Sequence, residues 1–202
     1  MLEVRQMKVK KIGALCKARG TCYLYDELTE GGEIIRQWIS NGAAMWPVSG
    51  LPMLSEANLS TLFDFSESAV EKMRIAEKEL PGWLCGVAHD LRTCEPQMQE
   101  SNIRIRMDGE EFMALTAGAS VYWIRADYLK PCWTKETALF LRKDEDGETV
   151  IAVCDGLFLS GIVMPAVLQP ETYRELLRLG VSAPKPSVPP EDIPEDEDDA
   201  GE

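Results

Sequence analysis

The fold is decided by residues 34–48, which read IIRQWISNGAAMWPV, two apolar segments separated by Asn41-Gly42. Asn-Gly between two β-prone segments is the strongest short-range signal for a tight hairpin, because both residues tolerate the positive φ of that turn. Ahead of it, residues 22–25 have the composition of a strand, and Gly31-Gly32 supplies the intervening turn. The stretch therefore predicts a three-stranded antiparallel meander, followed by a short helix that Ser55 caps.

The same series of strands and turns recurs twice further along the chain. We place the three units at residues 22–63, 103–131 and 138–179. Each has Gly-Glu at its first turn and a proline after its third strand, and the first and last also end in a helix. Two interpretations stay open: one repeated unit, or three meanders without common origin whose turns share a spacing. Both predict an α+β protein of repeated three-stranded antiparallel β meanders with short amphipathic helices.

Further elements are predicted between and around these units. Residues 7–18 should form an amphipathic helix that ends at Gly20, and residues 66–80 a linking helix opened by a capping box of Ser68 and Glu71. Residues 81–101 are predicted to be a long surface loop. The resulting division is helix and first unit at 1–64, linking helix and loop at 65–102, second and third units at 103–180, and a disordered acidic tail at 181–202.

The acidic charge is unevenly distributed. The 202 residues carry a net charge of −13, and residues 181–202 hold eight acids against one base, so −7 falls in the tail and −6 in the body. An acidic body does not suit a protein that grips phosphates through a broad basic face. Basic residues nevertheless cluster near the start, and they form either a nucleic-acid contact or the solvated face of the first helix. The candidate contacts are Lys8, Lys10, Lys11, Lys17 and Arg19.

The sequence predicts a cytoplasmic protein. No apolar segment approaches the roughly 20 residues that a membrane-spanning helix needs. The first residues lack the apolar core and cleavage site of a secretory signal, and either Met1 or Met7 could be the natural start. Six cysteines without CxxC spacing are predicted to be reduced thiols, several of them buried.

Catalytic patterns are weak in this chain. His89 is its single histidine, and neither a Gly-x-Ser-x-Gly elbow nor a placed cysteine supports it as a general base. Asp108-Gly109 and Asp155-Gly156 suit hairpin turns and do not form a phosphate-binding loop. Cys85, His89 and Cys94 offer three of the four ligands that structural zinc prefers, which leaves metal binding undecided. The sequence therefore predicts a protein that is not an enzyme and has no cofactor.

The tryptophans and the tail are the candidate contact residues. Trp38, Trp46 and Trp123 lie on predicted strands and should pack in the core, whereas Trp83 and Trp133 follow prolines in loops and are candidate contact anchors. The tail could solubilise the protein, compete with nucleic acid for a basic cleft, or shield the basic first helix. Its candidate contact residues are Glu195, Asp196, Glu197, Asp198 and Asp199.

Eight segments together carry a family resemblance. They are residues 10–12, 15–17, 23–26, 37–43, 51–56, 127–131, 152–156 and 162–165. With them the chain resembles a small-protein family of prophages and mobile elements of gut Firmicutes, over residues 7–179. The resemblance implies phage ancestry, and hence the cytoplasm of a bacterial host cell, and supplies no catalytic residue. Small, acidic, non-enzymatic phage proteins resemble anti-CRISPR inhibitors as a class, which implies a host partner with a basic nucleic-acid-binding cleft, for example a CRISPR effector nuclease.

A helix followed by a β meander, used more than once, also resembles the half-domain of DNA polymerase sliding clamps. Ile162-Val163-Met164-Pro165 is similar to the closing strand of bacterial clamps. That resemblance implies a ring in which the basic first helix faces DNA, although only the first unit has such a helix. The predicted functions are therefore an anti-CRISPR-like inhibitor of a type II CRISPR nuclease, then a sliding-clamp-like replication factor, then a phage scaffold or DNA-mimic protein. The oligomeric state stays undetermined.

Overall fold

A computed structural model describes residues 8–92, 94–144 and 146–178. Within these ranges the chain forms ten strands, five short helices and one 3₁₀ helix. In chain order they are α1 (Val9–Arg19), β1 (Thr21–Leu28), β2 (Ile34–Ser40), β3 (Ala44–Pro47), α2 (Glu56–Leu62), α3 (Glu67–Val70), β4 (Arg74–Glu79), α4 (Gly82–Cys85), β5 (Gln97–Met107), β6 (Glu110–Ala117), β7 (Ser120–Arg125), the 3₁₀ helix (Ala126–Leu129), β8 (Thr137–Lys143), β9 (Thr149–Asp155), β10 (Phe158–Val163) and α5 (Pro170–Arg178).

The Asn41-Gly42 hairpin forms as predicted between β2 and β3. The side-chain oxygen of Asn41 accepts the N–H groups of Ala43 at 3.1 Å and Ala44 at 2.9 Å, and Gly42 has the positive φ of 86° that this turn requires. Across the hairpin, Ser40 pairs with Met45. The predicted helices at the first unit are also confirmed, since Gly20 ends α1 in the left-handed conformation and Ser55 precedes α2.

The ten strands form one mixed, mostly antiparallel sheet in the order β4-β1-β2-β3-β10-β9-β8-β5-β6-β7. Each predicted unit is a three-stranded antiparallel meander, made of β1–β3, β5–β7 and β8–β10. The last meander lies between the other two, because β10 pairs with β3 and β8 pairs with β5. This arrangement confirms the predicted α+β class.

The predicted linking helix at 66–80 is wrong. Only α3 is helical there, and residues 74–79 form β4, which pairs in parallel with β1 from Thr21–Arg74 to Asp26–Glu79. Without β4, the edge of β1 would have unpaired N–H and C=O groups. The backbone hydrogen bonds that β4 makes to them stabilise the strand more than the capping pattern of Ser68 and Glu71 stabilises a helix. The predicted loop at 81–101 is also shorter than expected, since it contains α4 and ends where β5 begins at Gln97.

The sheet buries apolar side chains on both faces. One face, with α1, α2 and the β6–β7 hairpin, encloses the largest cluster, which includes Leu24, Trp46 and Ile151. The opposite face of the central strands is covered by residues 80–91, whose Leu84 packs with Trp38. A third cluster lies around Trp123, Leu168 and Leu176 below α5. The predicted burial of Trp38, Trp46 and Trp123 is therefore confirmed.

Where α1 meets the residues after α2, packing requires a glycine. A Cβ placed on Gly13 would lie 2.6 Å from Cδ1 of Phe63, which is closer than carbon atoms approach. The helices that the structure describes include none long and apolar enough to cross a bilayer.

Candidate interaction surfaces

A shallow cleft lies between α4 and the β8–β9 turn. It has a volume of about 350 Å³ and is lined by Gly82, Trp83, Gly86, Asp144 and Asp146. Trp83 is half-buried and packs against the cluster that residues 80–91 cover, so its ring is fixed at the wall of the cleft. The cleft therefore combines an aromatic wall with two carboxylates.

Asp144 has one carboxylate oxygen that accepts a hydrogen bond and one that has no partner among the described residues. Its Oδ1 accepts the Glu148 N–H at 2.7 Å, which closes the β8–β9 turn. Its Oδ2 is buried and, among the described residues, has no hydrogen-bond partner. A buried carboxylate oxygen without a donor is unfavourable, so the negative charge of Asp144 is poorly compensated at the wall of the cleft.

The segment that follows α4 is held to the sheet by Arg142 of β8, a side chain that is 5% exposed. Its guanidinium donates to both oxygens of Glu95, with Nε–Oε2 at 2.8 Å and Nη2–Oε1 at 3.1 Å. It also donates to the backbone carbonyls of Val87 at 2.8 Å and His89 at 2.5 Å. Burial on its own would raise the pKa of Glu95, but the hydrogen bonds from Arg142 and from the Arg92 N–H lower it overall. The residues from 87 to 95 that the structure describes are therefore a fixed part of the fold.

His89 belongs to this anchored segment. Its Nδ1 lies 2.8 Å from the Asp90 carbonyl oxygen, an acceptor, and 3.8 Å from Oε1 of Glu95. Nδ1 must therefore carry the proton, and the ring supports the turn. In the described part of the chain, no three His, Cys, Asp or Glu side chains are grouped so as to hold a metal ion, so Cys85, His89 and Cys94 do not form such a group. Both of these cysteines are exposed free thiols.

Trp133 lies at a different place from Trp83. It is 40% exposed, and its backbone carbonyl accepts Nζ of Lys8 at 3.0 Å. Lys11 reaches the carbonyl of Lys130 at 3.5 Å. The first turns of α1 are thus attached to residues 130–133, and the two predicted anchors are not brought into one site.

The predicted nucleic-acid contacts divide into two groups along α1. Lys8 and Lys11 reach the carbonyls of Trp133 and Lys130. Lys10, Lys17 and Arg19 are exposed, as is Lys11. The predicted tail contacts at residues 195–199 lie outside the described residues.

A surface that the sequence analysis missed lies on β1 and β4. Lys78 Nζ is 4.4 Å and Arg74 Cζ 5.9 Å from the ring centroid of Tyr23, and the ring of Tyr25 lies 6.0 Å from that of Tyr23. The alternation of Arg74, Ala76 and Lys78 could have indicated a strand with a basic face. The capping pattern at Ser68 favoured a helix, in which Arg74 and Lys78, four residues apart, would also share one face, so their spacing alone does not separate the two structures.

A second unpredicted feature is apolar. Ile34 and Ile35 at the start of β2 are 40% and 61% exposed, and Leu157 and Phe158 at the start of β10 are 68% and 61% exposed. Strands β2 and β10 run in the same direction on either side of β3, so these residues lie at one end of the sheet. The Leu91 N–H donates to the Leu157 carbonyl at 2.8 Å, which joins this end to the anchored segment. Exposed apolar groups of this kind favour protein contact.

Comparison of the chain with protein-family models, with curated proteins and with solved structures gives no match.

Proposed function

We propose that this chain is a non-enzymatic, phage-type binding protein that inhibits a host nucleic-acid-binding defence protein. The cleft at Trp83 carries the proposal. An indole face attracts an ammonium or guanidinium group, and carboxylates such as Asp144 and Asp146 pair with it. Lysine and arginine side chains are what a nucleic-acid-binding cleft presents. The cleft is therefore suited to take a basic side chain that would otherwise hold a phosphate.

The overall charge supports the same partner class. A net charge of −13 speeds the encounter with a basic surface. Trp83 packs against the apolar cluster that residues 80–91 cover, so little side-chain freedom is lost when a partner docks. Leu157 and Phe158, joined to the far end of this segment, supply apolar contact area.

The sharpest form of this proposal is an anti-CRISPR inhibitor of a type II CRISPR nuclease. The purified chain is titrated into a DNA-cleavage reaction by the assembled nuclease and guide RNA, and it is tested for co-purification with the nuclease. We expect stoichiometric binding and loss of cleavage. Undiminished cleavage at a large molar excess of the chain would remove this form of the proposal.

Variants test whether the Trp83 cleft is the site that binds the nuclease. Trp83→Ala should weaken binding at least about tenfold, as loss of a tryptophan anchor does. D144N/D146N should weaken it too, while the amide oxygen introduced at position 144 still accepts the Glu148 N–H and keeps the turn closed. The matched control is E30Q/E33Q, which removes the same charge from the exposed β1–β2 turn and should bind normally. Equal affinity of both double variants would place the contact elsewhere.

We also retain the clamp-like replication factor as a second proposal, because Lys10, Lys17 and Arg19 are exposed on α1, as a DNA-facing helix requires. Light scattering after size exclusion separates the two functions. A closed trimer or larger ring supports the clamp, and a monomer or dimer excludes it.

We further propose that the three meanders descend from one repeated unit. Gly32, Gly109 and Gly147, each followed by glutamate, all have positive φ at the first turn of their units. Independent meanders would need the left-handed residue but not the shared glutamate. Sequences of relatives test this, since common descent predicts further matched positions between the units.

A further inference from the structure

The outer face of β1 and β4 carries two tyrosines beside exposed cations. Residues 80–91, which cover this side of the sheet over its central strands, reach Tyr25 but leave Arg74 and Lys78 exposed. The Lys78 ammonium lies 4.4 Å from the centroid of the Tyr23 ring, so a flexible cation rests on a half-buried aromatic face. We call Tyr23, Tyr25, Arg74 and Lys78 the tyrosine face.

The acidic residues of β4 point away from the tyrosine face. Side chains alternate along a strand, so Glu77 and Glu79 lie opposite Lys78. Glu77 is turned toward α2, where its Oε2 accepts the Glu56 N–H at 3.0 Å. On the same side as Tyr23, the nearby carboxylate of Glu27 is engaged by Arg36 at 3.6 Å and by Nε1 of Trp38 at 3.1 Å. The tyrosine face is therefore locally basic on an acidic protein.

The cations of this surface lie along β4, which begins beside the end of α1. The carbonyl of Gly20 accepts the Arg74 N–H at 2.9 Å, which places the last turn of α1 beside the start of β4. Lys72, two residues before Arg74, is exposed as well, whereas α1 itself, with Lys17 and Arg19, packs over the other face of the sheet. Arg74 and Lys78 are four residues apart on a strand and hence about 13 Å apart along it. The cations thus form a strip that follows β4 beside the two tyrosines.

We propose that the tyrosine face binds single-stranded nucleic acid. Bases stack on tyrosine rings without regard to sequence, and cations alongside hold the phosphates. The lysine that now lies over Tyr23 is free to swing to a phosphate when a base takes its place. A duplex offers no unstacked base to a tyrosine on a sheet, so the surface selects single strands. This proposal concerns the β4 edge of the sheet, whereas the β8–β9 turn joins two interior strands, and it does not depend on the Trp83 cleft.

Fluorescence anisotropy with labelled thymidine and uridine oligonucleotides of about 12 residues tests it, with a duplex of equal length as comparison. We expect binding to either single strand, weaker binding to the duplex, and a linear fall of log affinity with log salt. Because each phosphate contact with a single strand contributes about 0.7 to that slope, R74E/K78E should lower its magnitude by about 1.4. Tyr23→Leu should weaken binding about tenfold and leave the salt slope unchanged.

The matched control is K135E/K143E, which makes the same change of charge at exposed lysines away from the tyrosine face. Urea unfolding shows that each variant is folded, and R74E/K78E alters only exposed side chains. No binding at low salt overturns the proposal, as does an equal loss in both charge-reversed variants. Unchanged affinity of Tyr23→Leu, with a polyglutamate peptide competing as well as the oligonucleotide, would overturn it in favour of an acidic protein partner.

Discussion

Arg142 and Glu95 form a buried bidentate ion pair across 47 residues of chain, with Nε–Oε2 at 2.8 Å and Nη2–Oε1 at 3.1 Å. The same guanidinium donates to the carbonyls of Val87 and His89. One side chain on β8 thus satisfies an irregular segment that has few backbone partners of its own.

Replacement of Arg142 by leucine should destabilise the protein strongly. The change leaves the Glu95 carboxylate buried without a cation and two carbonyls without donors, which costs about 3–5 kcal/mol. Urea unfolding followed by tryptophan fluorescence measures the loss. The control is Arg104→Leu, which breaks exposed pairs with Glu100 and Glu111 and should cost no more than about 1 kcal/mol. Similar losses in both variants would contradict the anchoring role of Arg142.

The ion pair between Arg142 and Glu95 should also make the stability of the protein depend on pH. The pKa of Glu95 is lowered in the folded state, so its contribution is complete above the ordinary value of 4.5 and is lost as pH falls toward the folded value. The difference in unfolding free energy between the wild type and Glu95→Gln should therefore shrink as pH is lowered below 4.5. A difference that stays constant over this range would contradict the assignment.

Asp26 should have the opposite effect. Burial raises its pKa above 3.8; the hydrogen bond from Gln37 opposes this, and Glu77 adds to it. The folded state therefore holds this proton more tightly, and stability falls as pH rises from 3.8 through the folded pKa. Asp26→Asn keeps an acceptor for Nε2 of Gln37 and should be more stable than the wild type at neutral pH. The gain should vanish below pH 3.8 in parallel urea titrations, and a less stable variant at neutral pH would refute it.

Gly13→Ala should reverse the usual effect of this substitution. Alanine in place of glycine within a helix normally stabilises by up to about 1 kcal/mol. Here the new methyl would lie 2.6 Å from Cδ1 of Phe63, so the packed ring must shift, and we expect a loss of about 1–3 kcal/mol. Gly31→Ala is the control, because its methyl would meet only Thr29 Oγ1 at 3.6 Å. Thermal unfolding of the two variants shows whether Gly13→Ala lowers the melting temperature while Gly31→Ala does not.

Thiol reactivity should separate the cysteines. Cys85 and Cys94 are exposed, whereas Cys16, Cys22, Cys132 and Cys154 are buried. Burial raises the pKa of Cys132 to about 12 and that of Cys154 to about 11, which keeps both as thiols near neutral pH. An aromatic disulfide reagent should label Cys94 first and Cys85 more slowly, because partial desolvation of the exposed Cys85 thiol and the charge of Glu27 raise its pKa. Rapid labelling of all the cysteines before denaturant is added would contradict this.

Local turn chemistry predicted most of the strands, and long-range pairing decided the rest. The Asn41-Gly42 turn needs only its own residues, so the hairpin could be read directly. Strand β4 depends on the edge of β1, which is more than 40 residues earlier in the chain, and no local pattern at 66–80 reports that edge.

The candidate sites also combine residues that local sequence indicates with partners that only the tertiary fold brings near. Trp83 could be singled out as a loop tryptophan, but its carboxylate neighbours come from a turn some 60 residues later. The role of Arg142 was missed because a strand arginine looks like any solvated base until its partner segment folds over it. The contact between Tyr23 and Lys78 depends on β4 being a strand, which the sequence did not indicate.

The strand order has a consequence for synthesis on the ribosome. The β8–β10 meander is translated after the other two and yet lies between them, bonded to β3 on one side and β5 on the other. Until residue 163 has left the exit tunnel, both of those edges are open, and the earlier meanders have no lateral connection in the sheet. The nascent protein is therefore most vulnerable to intermolecular strand pairing just before its final hairpins arrive, and those hairpins convert two separate halves into one sheet.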